Sequence, residues 1–162
     1  MDKITAKSTI RPELTGVYFS QDKMVATDSY RLIEVKKAIS LEGEPRVVRA
    51  KGFRGHGAVS VDANNLINDG GKLIGGEVVN GDYPEYEKVF EGLSGEPRFS
   101  MVINAKYLAE VAAEVDAQSG SPFHKVRLDF FESMKALVIS AEGKTSEGQD
   151  VSVRALVAPM NG

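Results

Sequence analysis

The sequence predicts an α+β protein: antiparallel sheets with helices packed on one side, in two strand-helix-strand halves. Three observations lead there. Short β-prone runs divided by tight turns occupy the start of the chain. A helix-periodic stretch from Ala105 to about Ala117 places Leu108, Val111, Ala112 and Val115 on one stripe. Three runs with strand alternation follow it. With 162 residues and 42% hydrophobic content, the chain has enough apolar side chains for a sizeable core.

In the first half, Leu14 to Phe19 is a β-prone run, Gln21-Asp22-Lys23 is a turn signal, and Met24 to Ala26 begins a second strand. Arg31 to Lys37 puts Ile33 and Val35 on one face, a half-buried third strand that completes a meander. Ala38 to Gly57 reads as irregular and basic, and Ala58 to Val61 as a short strand. Asp62 is placed to N-cap a short helix, Ala63 to Asp69, stopped by Gly70-Gly71. Leu73 to Val79 returns as a strand. Asn80-Gly81-Asp82 is a turn, and Pro84 forces an extended entry into the segment Tyr83 to Phe90. Glu91 to Pro97 is a connector.

In the second half, Phe99 to Ile103 reads as a strand and Asn104 as the N-cap of the Ala105 helix. Gln118 to Pro122 is a loop. Val126 to Phe130, Ala136 to Ser140 and Val151 to Val157 are strands, with a polar turn over Glu142 to Gln149. The expected organisation is a first half with its connector over 1–95 and a second half over 96–162, together one compact domain.

Composition excludes several classes of chemistry. Without cysteine there is no disulfide framework and no thiolate metal site, which fits a reducing cytoplasm. The two histidines, His56 and His124, lie far apart in sequence and poorly supply a metal cluster or a catalytic triad. No cofactor and no enzymatic activity are expected. Met1 to Ser8 lacks the apolar core of a signal peptide, and no run approaches a membrane span. The net charge of −3 means that any nucleic-acid contact is local or geometric.

Three segments, in order, resemble the bacterial DNA sliding clamp, the beta subunit of DNA polymerase III. They are RPELTGVYFSQDKMVATDSYRL (Arg11 to Leu32), VNGDYPEYEKVF (Val79 to Phe90), and Ile103 to Met160 with its INAKYLAEV and RALVAPM motifs. Ala38 to Leu73 matches poorly. The resemblance implies a DNA-clamp-like fold and a hydrophobic pocket for a short linear peptide of DNA polymerases, clamp loader or repair proteins. By motif, that pocket involves Leu14, Thr27, Ser29, Tyr30, Arg31 and Leu32, with Pro84 and Val89 from the connector and Leu156, Ala158 and Met160 near the C-terminus. Tyr30 and Ala158 stand where the family often has histidine and methionine, which implies a reshaped pocket.

The resemblance also implies a processivity factor that holds partners on double-stranded DNA non-specifically, as a homo-oligomer. Family members carry three domains per chain, so this shortened form would need about six copies to close a ring. The alternative is a clamp-derived interaction module, an adaptor or decoy that binds clamp-motif peptides without encircling DNA. The side chains leave several roles open. Arg46, Arg49, Lys51 and Arg54 form a basic stretch suited either to phosphate contact or to a solvated or oligomer-contacting loop. The exposed side of the Ala105 helix carries Lys106, Glu110, Glu114 and Asp116, which suits a solvated face better than one on DNA. Asp28 fits a turn-tying role better than catalysis, and Arg31 serves either the pocket or an acidic partner.

Overall fold

Val17 to Lys36 folds as the meander that its alternation predicts. In the computed structural model, which describes every residue except 8–9, 94, 98, 132–135, 145–147 and 161–162, the strands are β1 (Val17–Phe19), β2 (Lys23–Thr27) and β3 (Leu32–Lys36). They pair antiparallel in sequence order. Leu14 precedes them in a 3-10 turn, Pro12–Thr15. The chain divides into two units, Met1–Ser94 and Gly95–Gly162.

The stretch from Ala38 to Gly57, expected to be irregular, holds two strands, β4 (Ile39–Leu41) and β5 (Arg46–Arg49). Their short alternations bury Ile39, Leu41, Val47 and Val48, a signal masked in the sequence by the surrounding basic and glycine residues. β6 (Val59–Val61), β7 (Leu66–Asp69) and β8 (Lys72–Gly75) follow as a meander, and then β9 (Glu77–Val79). The predicted helix from Ala63 to Asp69 is therefore a turn and a strand. Asp62 does cap, but it caps a turn: its Oδ1 accepts the N–H of Asn64 and of Leu66 at 2.9 and 2.8 Å. Asn65, at φ 63°, turns the chain out of any helical path.

The run from Leu73 to Val79 is likewise two strands in different sheets, parted at Gly76. A side chain there would meet Val48 Cγ1 at 2.4 Å and the Asn65 carbonyl oxygen at 2.6 Å, so only glycine fits. One sheet has the order β3-β2-β1-β5-β9 and the other β4-β6-β7-β8, with β4 and β6 parallel. Val17, Phe19, Met24 and Val48 from the first pack with Ile39, Val59, Val61 and Ile67 from the second in one core. This core lies between sheets, without the helix expected in the first half. A short helix, α1 (Glu87–Glu91), ends the unit. The connector expected over Glu91 to Pro97 includes Ser94, outside the described residues.

The second unit follows its sequence more closely. Helix α2 (Ala105–Ser119) starts at Asn104, whose side chain accepts the N–H of Lys106 and of Tyr107 at 2.9 and 3.3 Å. It stops at Gly120, which is left-handed at φ 62°. The antiparallel sheet β10 (Arg127–Phe130), β11 (Leu137–Lys144) and β12 (Asp150–Val157) lies under it. Leu108, Val111, Ala112 and Val115 pack on Leu137, Ile139, Ala141 and Val157, the stripe the periodicity predicts.

Phe99 to Ile103 is not a strand. Met101 and Ile103 pack on the core, and Val102 is tied to the C-terminal stretch by the Met160 N–H, 2.8 Å from its carbonyl oxygen. The polar turn expected over Glu142 to Gln149 is narrower, since β11 runs to Lys144 and β12 starts at Asp150; residues 145–147 lie outside the described residues.

Candidate functional site

The turn between β2 and β3 is built by one carboxylate. Asp28 Oδ1 accepts the N–H of Tyr30 and of Arg31 at 3.0 and 2.8 Å. Its Oδ2 accepts Nε and Nη2 of Arg31 at 3.0 and 2.6 Å. Arg31 thus has an acidic partner, and Asp28 is a turn-former. The Arg31 hydrogen bonds, aided by the backbone donors, hold the Asp28 carboxyl at about 2, below its ordinary value. Thr27, buried, accepts the Ser29 N–H on its hydroxyl at 3.2 Å. Ser29 is left-handed, at φ 77°. This tight path leaves Tyr30 almost wholly exposed, at 95%.

A cleft of about 330 Å³ opens beside this turn. Leu14, Thr27, Ser29, Tyr30, Arg31, Leu32, Pro84 and Val89 line it, all eight of the first-unit pocket residues named from motif. Leu14, 2% exposed, belongs to the buried core, whereas Val89 stands 62% exposed. Arg11, Glu85 and Tyr86 also line the cleft. Each lies inside a matched segment, but nothing in the spacing marks it as facing the cleft.

The connector is fixed to the sheet by tyrosines. Tyr83 stacks on Tyr18, with centroids 5.2 Å apart, and donates its hydroxyl to the Val25 carbonyl at 3.1 Å. Burial raises its pKa. Tyr86, buried, donates to Glu34 Oε2 at 3.0 Å. Lys23 bridges to Glu87 at 2.9 Å. Together these contacts place Pro84 and Val89 along one wall.

Leu156, Ala158 and Met160 belong to the second unit. Leu156 is 61% exposed on β12, and Ala158 and Met160 are exposed beyond its end. Leu156 alternates with the core-facing Ala155 and Val157, so it stands on the sheet face away from α2.

The basic stretch divides in two. Arg46 gives Nε to Asn65 Oδ1 at 2.7 Å and its remaining nitrogens to the carbonyl oxygens of Glu42, Glu44 and Asp62. Arg49 donates to the Thr15 hydroxyl and pairs with Glu77 at 3.2 Å. These two guanidiniums brace the fold, and Lys51 and Arg54 remain exposed. Among the described residues no group of three or more histidine, aspartate or glutamate side chains is placed to hold a metal ion. No helix among them is long and apolar enough to cross a membrane.

Solved structures carry the same fold. The DNA polymerase III subunit beta of Pseudomonas aeruginosa superposes with a TM-score of 0.60 over 99% of this chain, at 20% identity. The chain has the fold of the bacterial sliding clamp. The beta subunit of Thermotoga maritima matches at a TM-score of 0.60 and 16% identity, and the beta sliding clamp of C. crescentus at 0.52 and 15%. Each match covers 99% of this chain but only 46% or 47% of the clamp structure, so the chain spans just under half the length of these clamps. No family model and no curated protein sequence matches it.

Proposed function

We propose that this protein is a non-enzymatic, clamp-type tether that takes a short linear peptide of a DNA polymerase, clamp loader or repair protein into the cleft beside the Thr27–Leu32 turn. The observation that carries the reading is the convergence of Leu14, Leu32, Pro84 and Val89, from three separate segments, on one mainly apolar cleft. Such a surface suits a leucine or phenylalanine anchor, and the polar groups of Thr27 and Arg31 suit orientation of the peptide backbone. Leu156, Ala158 and Met160 are carried as partner-contact candidates on their motif alone.

In this reading the protein holds its partner on double-stranded DNA as a homo-oligomer. A second reading, an adaptor or decoy that never encircles DNA, is favoured by the exposed Glu110 and Glu114 on α2, a face that repels phosphate. Light scattering, together with retention on nicked circular but not linear DNA, separates the two readings. A closed oligomer with topological retention supports the clamp, and a strict monomer supports the module.

The cleft itself is tested by fluorescence anisotropy with a labelled clamp-motif peptide. Leu32→Asp places a charge in the apolar wall and is expected to abolish binding while circular dichroism stays unchanged. Equal peptide affinity in this variant would remove the cleft from the proposal.

A further inference from the structure

Strand β10 is an edge of the second unit's sheet, and among the described residues its one strand neighbour is β11. Residues directly opposite each other on paired strands share a face. Leu128 and Phe130, opposite Ile139 and Leu137, therefore lie on the side that carries α2. The helix packs over β11 and β12 and leaves the β10 side chains in water: Leu128 is 46% exposed and Phe130 52%. Arg127 and Asp129 lie on the other face, where Arg127 Nε donates to Asp129 Oδ1 at 2.7 Å.

A strand edge offers backbone N–H and C=O groups to any passing strand, and charges of one sign along it keep a second copy away. On β10 the charges are of opposite sign, two residues apart. Antiparallel pairing about a two-fold axis through Leu128 sets Arg127 opposite the partner's Asp129, and Asp129 opposite the partner's Arg127. On the helix side it sets Leu128 against the partner's Leu128 and Val126 against the partner's Phe130. An axis through Arg127 or through Asp129 would instead oppose like charges. A slip of one residue would turn the two helices to opposite faces and leave Leu128 and Phe130 uncovered. The strand is its own complement in one register.

We infer that β10 is a docking edge for a second copy of this chain, paired antiparallel about Leu128, so that two three-stranded sheets join with both α2 helices on one face. The pairing satisfies the free backbone groups of the edge and covers the apolar side chains that α2 leaves open. Charge complementarity selects the occupant, since a second copy brings the arginine and the aspartate in the required order. The contact is isologous and closes at two copies, so by itself it makes a dimer and not a ring of about six. The inference rests on the homo-oligomer part of the proposed function and is independent of the peptide cleft.

The test is sedimentation velocity of the full chain over a range of concentrations. Wild type is expected to dimerise. Arg127→Asp and Asp129→Arg each set like charges opposite one another at both places, and each is expected to weaken the dimer at least about tenfold. An equimolar mixture of the two variants puts an acid opposite an arginine again and is expected to dimerise as wild type does. That rescue also reports that both variants are folded. Leu128→Lys sets two ammonium groups on the axis, at a site already exposed, and is expected to be monomeric.

A wild-type oligomer that persists in the charge reversals or in Leu128→Lys would overturn this edge while leaving the homo-oligomer intact. Wild type that stays monomeric throughout would overturn the edge and the homo-oligomer together, with the peptide cleft still tested by anisotropy. Reversal variants that remain monomeric when mixed would overturn the pairing about Leu128.

Discussion

Asp28 and Arg31 close the β2–β3 turn on themselves: one carboxylate oxygen takes the guanidinium at 2.6 Å while the other takes the Arg31 backbone N–H at 2.8 Å. The Asp28 pKa is lowered to about 2 from the ordinary 3.8, first by the Arg31 side chain and then by the backbone donors. A lowered carboxylate pKa means that the folded turn binds the proton more weakly than the unfolded chain. Its stabilising effect is therefore present above the ordinary value and fades as pH falls toward 2. Carboxyl-carbon NMR of Asp28 is expected to titrate near 2 in wild type and to move toward the ordinary value in Arg31→Ala. The amide of Tyr30 should exchange faster over the same acid range. An Asp28 midpoint that ignores the loss of Arg31 would assign the turn to the backbone alone.

Gly76 marks where the chain leaves one sheet for the other, pressed against Val48 and Asn65. Gly76→Ala should cost roughly 1–3 kcal/mol, because Val48 is fully buried and the Asn65 contact is backbone. Gly75→Ala is the control, since a side chain there meets nothing within 4 Å. Urea unfolding of the two variants checks the contrast. Equal midpoints would mean that the sheets part easily at this point.

Asn104 holds the first turn of α2 through two backbone donors. Asn104→Ala should destabilise the helix start by about 1 kcal/mol, whereas Asn104→Asp should retain the cap. Hydrogen exchange at Lys106 and Tyr107 reads this locally, with faster exchange expected only in the alanine variant. Protection that survives in Asn104→Ala would place the stability of this turn in its packing.

Legibility in the sequence follows the range of the interactions. The α2 stripe and its Asn104 and Gly120 ends were readable because a helix satisfies its backbone locally and its caps sit next to it. The meander of β1, β2 and β3 was readable because tight turns join adjacent strands. The strands β4 and β5 were missed because each is short and paired with sequence-distant partners, β4 with β6 and β5 with β1 and β9. The false helix after Asp62 came from a capping residue, whose chemistry serves a turn equally well.

The candidate site divides along the same line. Thr27 to Leu32 carries within itself the aspartate, the arginine and the short spacing that shape the turn, so the sequence alone determines that feature. Tertiary structure decided that Leu14, Pro84 and Val89 meet it in one cleft, and that Tyr86 and Arg11 join them. It also decided that Arg46 and Arg49 are consumed as braces while Lys51 and Arg54 stay exposed. The physical reason is that a turn is closed by hydrogen bonds a few residues long. Which surface a side chain faces, and whether a charge finds a partner, depends on segments that only packing brings together.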